Sequence, residues 1–259
     1  MNPELPKLLR DALARQAAGE VHPSPDVLTS FMERTLPRNE RDVVTEHLAS
    51  CADCREVVFL ARHGYAHTIA PHEINYRANL WALKELQVEG VFALASVGGI
   101  RDGFGPGTLV VPDQILDYTH SRESTYFEGS GSPVRHVDFT QPYSQALRRI
   151  LLQAACDIGE RVGDGGVYAC TQGPRLETAA EIDRLQRDGA DLVGMTGMPE
   201  ASLARELDLP YAALAVVVNH AAGRGRSRER IELTELEEVL GETMVRAVRI
   251  LEAGLRSAP

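Results

Sequence analysis

Three segments in the second half of the chain end an apolar run in a turn that carries polar side chains. They are Gly166–Thr178 (GVYACTQGPRLET), Asp191–Glu200 (DLVGMTGMPE) and Leu214–Asn219 (LAVVVN). Short apolar runs bounded by turn residues are typical of buried strands. In a parallel sheet, the ends of such strands present polar groups to a small ligand. The sequence therefore predicts an α/β fold with a small-molecule site at the ends of these strands.

From Arg55 onward the chain alternates predicted strands and helices, which is the pattern of an α/β protein. The predicted strands are VVFLA (57–61), GVFALASVGG (90–99), TLVVPDQIL (108–116), a strand at Val167, Leu192–Val193 and Ala212–Val218. The predicted helices are Asn75–Leu86, Ser144–Gly159, Thr178–Asp188, Pro199–Leu207 and Thr234–Leu255. Residues 129–131 and 223–227 are predicted to be mobile loops.

Composition bounds the class of protein. The chain has 259 residues, 44% of them hydrophobic, which suits one large domain or a medium domain with a small appendage. The formal net charge is -10. Because phosphate polyanions would be repelled, we expect neither a general nucleic-acid surface nor a membrane surface. The N-terminus lacks the apolar centre of a signal peptide, so the expected location is the cytoplasm.

The first 54 residues are predicted to be all-helical and contain a candidate metal site. His47, Cys51 and Cys54 form an H-x3-C-x2-C pattern, and His22 could complete a tetrahedral set. The segment from His22 to Arg55 resembles the anti-sigma-factor zinc finger family. That resemblance implies a structural zinc ion and docking on a sigma factor. The alternative is that the cysteines are ordinary buried residues and His47 is a surface histidine.

Together with ARHG at Ala61–Gly64, the three strand-to-turn segments resemble the purine nucleoside phosphorylase family, closest to its methylthioadenosine and methylthioinosine phosphorylase branch. The resemblance covers residues 55–259, so the predicted domains are 1–54 and 55–259. It implies a mixed sheet flanked by helices, with the helical zinc module in place of the family's first strand. It also implies a homotrimer, with phosphate as co-substrate and neither metal nor organic cofactor in catalysis.

The resemblance assigns phosphate binding to five positions, which are Arg62, His63, Ala95, Ser96 and Thr196. Guanidinium and imidazole groups donate charge-assisted hydrogen bonds to an anion, so Arg62 and His63 suit this role. A solvated loop pair is the alternative for these two. Backbone amides from Ala95 onward would contact phosphate and then purine.

For the purine, the resemblance assigns Glu177 and Asn219. A carboxylate accepts from the N1 hydrogen of a 6-oxopurine, and an amide donates to O6 or N7, so the pair favours hypoxanthine or guanine over adenine. Glu177 could equally be an acid favoured by the dipole at a helix N-terminus. The further residues assigned to substrate are Val97, Gly98, Leu176 and Ala221.

For the sugar, the resemblance places Met195 under the ribose. His136, lent by a neighbouring subunit, and Leu233 would lie near the 5' end. A histidine and apolar groups suit a methylthio substituent, so the expected nucleoside is S-methyl-5'-thioinosine.

One family feature is missing from the sequence. Residues 1–54 contain no Gly-Gly-Ser/Thr-Gly phosphate loop, so two hypotheses stay open. The first is a nucleoside phosphorylase with impaired phosphorolysis. The second is a non-catalytic, zinc-dependent interaction or sensor protein whose phosphorylase-like domain only binds nucleoside. The join at Cys54 and Arg55 fits either a natural fusion or an artificial chimera.

Overall fold

The computed structural model describes residues 57–64, 67–129, 131 and 133–257. The chain divides into two compact units, residues 1–66 and 67–259. The predicted zinc ligands His22, His47, Cys51 and Cys54 lie outside the described residues. The zinc module and the boundary between residues 54 and 55 therefore stay predictions.

The described part of the first unit is an irregular segment ending in a turn. The amide of Gly64 donates to the carbonyl of Ala61 at 3.0 Å. The predicted strand VVFLA is wrong, since residues 57–61 are not in a strand. Val57 is 46% exposed and Phe59 is 59% exposed. An extended segment becomes a strand only when a neighbour takes up its backbone hydrogen bonds, and these residues do not belong to the described sheet.

The second unit is built on a seven-stranded sheet with the order β3-β5-β6-β1-β7-β2-β4. The strands are β1 Val91–Gly99, β2 Leu109–Val111, β3 Gln114–Asp117, β4 Val162–Asp164, β5 Val167–Cys170, β6 Leu192–Gly194 and β7 Tyr211–His220. The helices are α1 Tyr76–Glu85, α2 Gln145–Asp157, α3 Ala179–Arg187, α4 Gly197–Glu206 and α5 Leu233–Ser257, with a 3-10 turn at Gly225–Ser227. The predicted mixed α/β fold is confirmed.

The helix ends follow from local sequence. Asn75 and Ser144 each accept a backbone N–H through their side chains and cap α1 and α2. Thr178 and Glu181 form a reciprocal capping box at the start of α3. Because a cap depends only on residues three positions apart, these boundaries agree with the predicted ones to within two residues.

The sheet is held by cores on both faces. Leu109 and Leu214 of the sheet pack with Leu151 of α2 and Ile250 of α5. The residues that alternate with these along the strands, among them Val110 and Ala215, belong to a second cluster with Tyr168 of β5 on the other face. Ile182 and Leu185 of α3 pack against β5 and β6 in a third cluster. Strand β7 is buried over its first seven residues, as expected for a central strand covered on both faces. None of the described helices is long and apolar enough to cross a membrane.

The segment TLVVPDQIL forms two strands, whereas the sequence predicted one. It breaks at Pro112 and Asp113. Strand β2 pairs with β7 and β4, while β3 pairs with β5 at the opposite end of the sheet. A proline has no N–H for the ladder, so it marks the point where the chain leaves one side of the sheet for the other. Strand β4 was not predicted.

Candidate functional site

The predicted phosphate residues of the second unit belong to β1 and to the turn that follows β6. The two strands run antiparallel, with Gly98 paired with Val193 and Gly99 with Leu192. Beyond Gly194, the last residue of β6, the chain turns through Met195 and Thr196 into α4. Ser96 is the exposed residue of β1, which otherwise becomes buried toward its end. The sheet is therefore mixed, as the resemblance implies, and the predicted residues do not follow strands that all run in one direction.

The turn from β6 into α4 packs down on Tyr168, which is 1% exposed. The amide of Thr196 donates to the hydroxyl of Tyr168 at 3.4 Å. A Cβ atom at Gly194 would lie 2.4 Å from that hydroxyl oxygen, and one at Gly197 would lie 2.7 Å from the ring. Both positions therefore require glycine, and the close approach fixes the height of Thr196 above the sheet.

Asn219 and Ala221 stand beside β1 because of an irregularity in the β1–β7 pairing. Val97 is opposite Val217, but Gly98 is opposite Asn219, so one residue of β7 is left over. Such a bulge re-aims the side chains that follow it. The amide of Ala221 donates to the carbonyl of Gly99 at 2.8 Å. A Cβ atom at Gly98 would lie 3.4 Å from Cα of Ala221. The absence of a side chain at Gly98 therefore lets the segment of Ala221 pack close to β1.

The Asn219 side chain is half-buried and uses part of its hydrogen-bonding capacity within the protein. Its Nδ2 donates to the carbonyl of His220 at 2.6 Å. A carboxamide has two N–H groups and one acceptor oxygen. That bond therefore orients the amide while leaving one N–H and the oxygen for other partners.

Glu177 is held by a hydroxyl that the sequence analysis did not single out. Thr171 is hydrogen-bonded to Oε1 of Glu177 at 2.6 Å, and to the carbonyl of Gly194 at 3.3 Å. The shorter distance indicates that the hydroxyl donates mainly to the carboxylate. Thr171 is itself anchored, since its amide donates to Gly194 at 2.8 Å. Glu177 lies just before α3, whose cap is Thr178, so its carboxylate is set beside β6 rather than used as a cap.

Met195 lies against the turn that follows β5. A Cβ atom at Gly173 would be only 2.5 Å from Sδ of Met195, and Gly173 has a φ of +64°. The thioether therefore packs directly on the backbone of the turn, which joins the segment of Glu177 to that of Thr196.

We expect Gly173→Ala to push Met195 away and to strain the backbone. The strain of a non-glycine residue at positive φ costs about 1 to 2 kcal/mol of the free energy of unfolding. Displacing Met195 should lower kcat/KM for a nucleoside about 10-fold or more. Chemical denaturation and initial rates measure the two effects. The matched control is Gly159→Ala, with a φ of +71° and nothing within 4 Å of its Cβ position. An equal loss of activity in both variants would contradict the role of the Met195 contact.

Arg122 is a further residue at this site that the sequence did not reveal. Its guanidinium donates to the carbonyls of Thr171, Gln172, Met195 and Met198 at 3.2, 2.8, 2.8 and 2.6 Å. It lies in a segment with no helical or alternating pattern, and its partners are about 50 to 76 positions away along the chain. No local signal could have identified it.

Cys170 supports the same turn from inside the sheet. Its sulfur accepts a hydrogen bond from the amide of Met198 at 3.2 Å. Burial raises the pKa of this thiol to about 12. The thiol therefore stays protonated at neutral pH and serves as a packing and hydrogen-bonding group, not as a nucleophile. Cys170 lies in β5 and Cys156 in α2, and both are free thiols.

Other predicted residues lie in turns or at exposed positions. Arg62 and His63 belong to the turn of the first unit. Leu176 is 41% exposed, and Leu233, the first residue of α5, is 63% exposed. His136 is exposed in the irregular segment before α2. In the part of the chain that the structure describes, no three His, Cys, Asp or Glu residues are grouped as a metal site.

Comparison with known proteins gives consistent matches. Residues 33–256 match the family model of the phosphorylase superfamily. The chain is 53% identical over 203 residues to a probable S-methyl-5'-thioinosine phosphorylase of Pseudomonas syringae pv. tomato, covering 77% of this chain and 82% of that protein. It is 48% identical over 199 residues to a 6-oxopurine nucleoside phosphorylase of Pyrococcus furiosus, covering 74% and 75%.

A solved structure shares the fold. Methylthioadenosine phosphorylase from Schistosoma mansoni in complex with adenine superposes with a TM-score of 0.72 at 30% sequence identity. The match covers 76% of this chain and 75% of that chain.

Proposed function

Because the chain belongs to the phosphorylase superfamily, we propose that it catalyses the phosphorolysis of a 6-oxopurine nucleoside. The preferred substrate is S-methyl-5'-thioinosine, and the products are hypoxanthine and 5-methylthioribose 1-phosphate. Relatives named for methylthioinosine and for 6-oxopurine nucleosides support this choice. We therefore favour the enzyme over the non-catalytic sensor.

The observation that carries the proposal is the placement of Glu177 and Asn219 on either side of β6 and β1. Thr171 holds one oxygen of Glu177, which leaves the other to accept from the N1–H of a 6-oxopurine. Asn219 keeps one N–H and its oxygen for the opposite side of the purine. Glu177 follows β5 and Asn219 lies on β7, and these two strands are three strand spacings apart in the sheet order, about 14 Å in a flat sheet. Two side chains and a bicyclic base fill such a gap.

In the proposed reaction a phosphate oxygen attacks C1' of the sugar while the bond from C1' to N9 of the purine breaks. Phosphate would lie near Ser96 of β1 and Thr196 of the turn after β6. The phosphate-binding roles of Arg62 and His63 stay predictions from the resemblance. The sugar would rest on Met195. In the transition state the sugar carries positive charge, as in glycoside hydrolysis. The adjacent phosphate dianion would stabilise that charge.

The electron pair of the broken bond passes to the purine. The free N–H of Asn219 would then stabilise negative charge on O6 or N7 of the departing base. Because that charge develops only as the bond breaks, the interaction is stronger in the transition state than with bound substrate. Glu177 orients the ring through N1–H and so distinguishes a 6-oxopurine from a 6-aminopurine.

The test is release of hypoxanthine from methylthioinosine with and without phosphate. We expect release that requires phosphate, and a preference for methylthioinosine over inosine and methylthioadenosine. The absent glycine-rich loop would remove several phosphate donors, and loss of one oxyanion donor costs about 100-fold or more in other enzymes. The rate should therefore be well below that of a relative with the loop. Comparable rates would contradict this expectation, while phosphate-independent or absent release would contradict the function.

We also propose that the active form is a homotrimer, with His136 of one subunit near the 5' substituent in the next. Exposure of His136, with Val134 beside it 78% exposed and Trp81 49% exposed, supports an oligomer surface. Light scattering of the purified protein tests the assembly. The sigma-factor partner stays a prediction. The structural zinc at His22, His47, Cys51 and Cys54 also stays a prediction, and metal analysis of the purified protein would check it.

A further inference from the structure

The two turns that carry the proposed base and sugar contacts are joined through one guanidinium group. Arg122 donates through Nη2 to Thr171 and Gln172 in the turn after β5. It donates through Nη1 to Met195 in the turn after β6 and to Met198 in the first turn of α4. The strands β5 and β6 pair only up to Cys170 and Gly194. Beyond that point Arg122 adds four hydrogen bonds to the connections made by the amide of Thr171 and the sulfur of Cys170.

The remaining contacts hold the guanidinium itself in place. Its Nε donates to the side-chain oxygen of Gln172 at 3.2 Å, and Nη1 also donates to the hydroxyl of Tyr76 at 3.2 Å. Tyr76 is 3% exposed, and its hydroxyl donates to the carbonyl of Pro71 at 2.8 Å. The fork therefore cannot shift without breaking bonds on several sides, which makes it a rigid spacer between the two turns.

The chemistry of these contacts requires arginine. In the described part of the chain its hydrogen-bond partners are carbonyl, amide and hydroxyl oxygens. A guanidinium offers five N–H donors in a fixed plane, whereas a lysine ammonium offers three on a flexible stem. Lysine would keep the positive charge but could not reach both turns with the same geometry.

We propose that Arg122 is a positioning residue for the phosphorolysis proposed above, on which this inference rests. It fixes the separation between the turn of Glu177, which would hold the purine, and the turn of Met195 and Thr196, which would hold ribose and phosphate. The bond between purine and ribose spans these two turns. A small change in their separation therefore misplaces the reacting bond while each turn keeps its own contacts.

The chain offers a matched control in Arg148. This arginine is 7% exposed and donates to the carbonyls of Pro112 and Val111 at 3.0 and 3.3 Å. It also bonds to Asp164, near the β2–β4 end of the sheet. Like Arg122 it ties backbone segments together, but its partners belong to none of the turns of the site. Replacing Arg148 therefore measures how much stability is lost with such a guanidinium, without a change at the candidate site.

The experiment compares wild-type protein with Arg122→Lys and Arg148→Lys. Each is assayed for kcat and KM with methylthioinosine, for hypoxanthine binding by calorimetry and for the midpoint of thermal unfolding. For Arg122→Lys we expect kcat to fall about 100-fold, the loss that a misplacement of about 1 Å produces. Hypoxanthine affinity should stay within about threefold, because Thr171 keeps its own hydrogen bonds to Glu177 and to the carbonyl of Gly194. Arg148→Lys should keep the kcat of the wild type. Its midpoint of thermal unfolding should fall as much as that of Arg122→Lys, or more.

Two outcomes would overturn this role for Arg122. One is kcat within about threefold of wild type in Arg122→Lys. The other is a loss of kcat in Arg148→Lys as large as that in Arg122→Lys, since both effects would then reflect folding. If the wild-type protein itself shows no phosphate-dependent turnover, the proposed function fails and this role fails with it. If the wild-type protein turns over substrate and Arg122→Lys does so at the same rate, the positioning role is contradicted and the proposed function is not.

Discussion

Asn219→Ala is expected to lower kcat for phosphorolysis of methylthioinosine by about 100-fold or more, the loss seen when one preorganised oxyanion donor is removed. The free N–H of Asn219 is oriented by the bond from the same Nδ2 to the carbonyl of His220. In the proposed reaction it would therefore meet the leaving purine without having to reorganise. Because the charge on the purine appears only as the bond to the sugar breaks, KM should change much less than kcat. Steady-state release of hypoxanthine measures both.

Two variants separate donation from packing in this prediction. Asn219→Asp keeps the shape of the side chain but has no N–H, so it should also lose activity. Asn79→Ala replaces an asparagine on α1, outside the strand-end turns, and should keep wild-type kcat. Activity of Asn219→Asp equal to wild type would show that Asn219 does not act as a donor.

Glu177→Gln is expected to change which purine the protein accepts. The Thr171 hydroxyl donates to Oε1 of Glu177 at 2.6 Å and should donate equally to the amide oxygen of glutamine. The amide NH2 would then face the ligand. This NH2 group and the N1–H of hypoxanthine are both donors and cannot form a hydrogen bond, whereas the unprotonated N1 of adenine can accept one. We expect the preference for methylthioinosine over methylthioadenosine, as the ratio of kcat/KM values, to fall about 100-fold or more.

The double variant Thr171→Val with Glu177→Gln tests the orienting role of the hydroxyl. Without it the amide is free to turn its oxygen toward N1–H, so activity with methylthioinosine should partly return. Glu229→Gln, at an exposed glutamate outside the strand-end turns, should leave the preference unchanged. A Glu177→Gln protein with the wild-type preference would show that this carboxylate does not read the purine.

Much of the candidate site was predictable because its residues follow apolar runs. Thr196 and Asn219 stand at the end of apolar runs and Glu177 follows another run after a short turn. The structure places those runs on β6, β7 and β5. The pairing of β1 with both β6 and β7 then brings Ala95, Ser96 and Gly98 beside them. Arg62 and His63, in the first unit, and the exposed His136 and Leu233 remain assigned by resemblance alone.

Strand direction was not predictable from the same runs. A buried strand has the same composition whether its neighbour is parallel or antiparallel, so the reversal between β6 and β1 left no local trace. The failure of VVFLA has a similar cause, since an apolar run favours a strand only where a partner is available. The split of TLVVPDQIL did have a local signal, Pro112, but the two sides to which its halves go depend on strands distant along the chain.

Helix boundaries, the buried strands and the polar residues that end them were thus contained in the sequence, because caps, periodicity and turn residues act over three to eight positions. Strand order, the register of β1 against β6 and β7, and the network of Arg122 arose only on folding. Those features join residues tens of positions apart, and the free energy of such contacts depends on geometry that the complete sheet creates. The residues of the site are therefore local in origin, while the distances between them are a property of the fold.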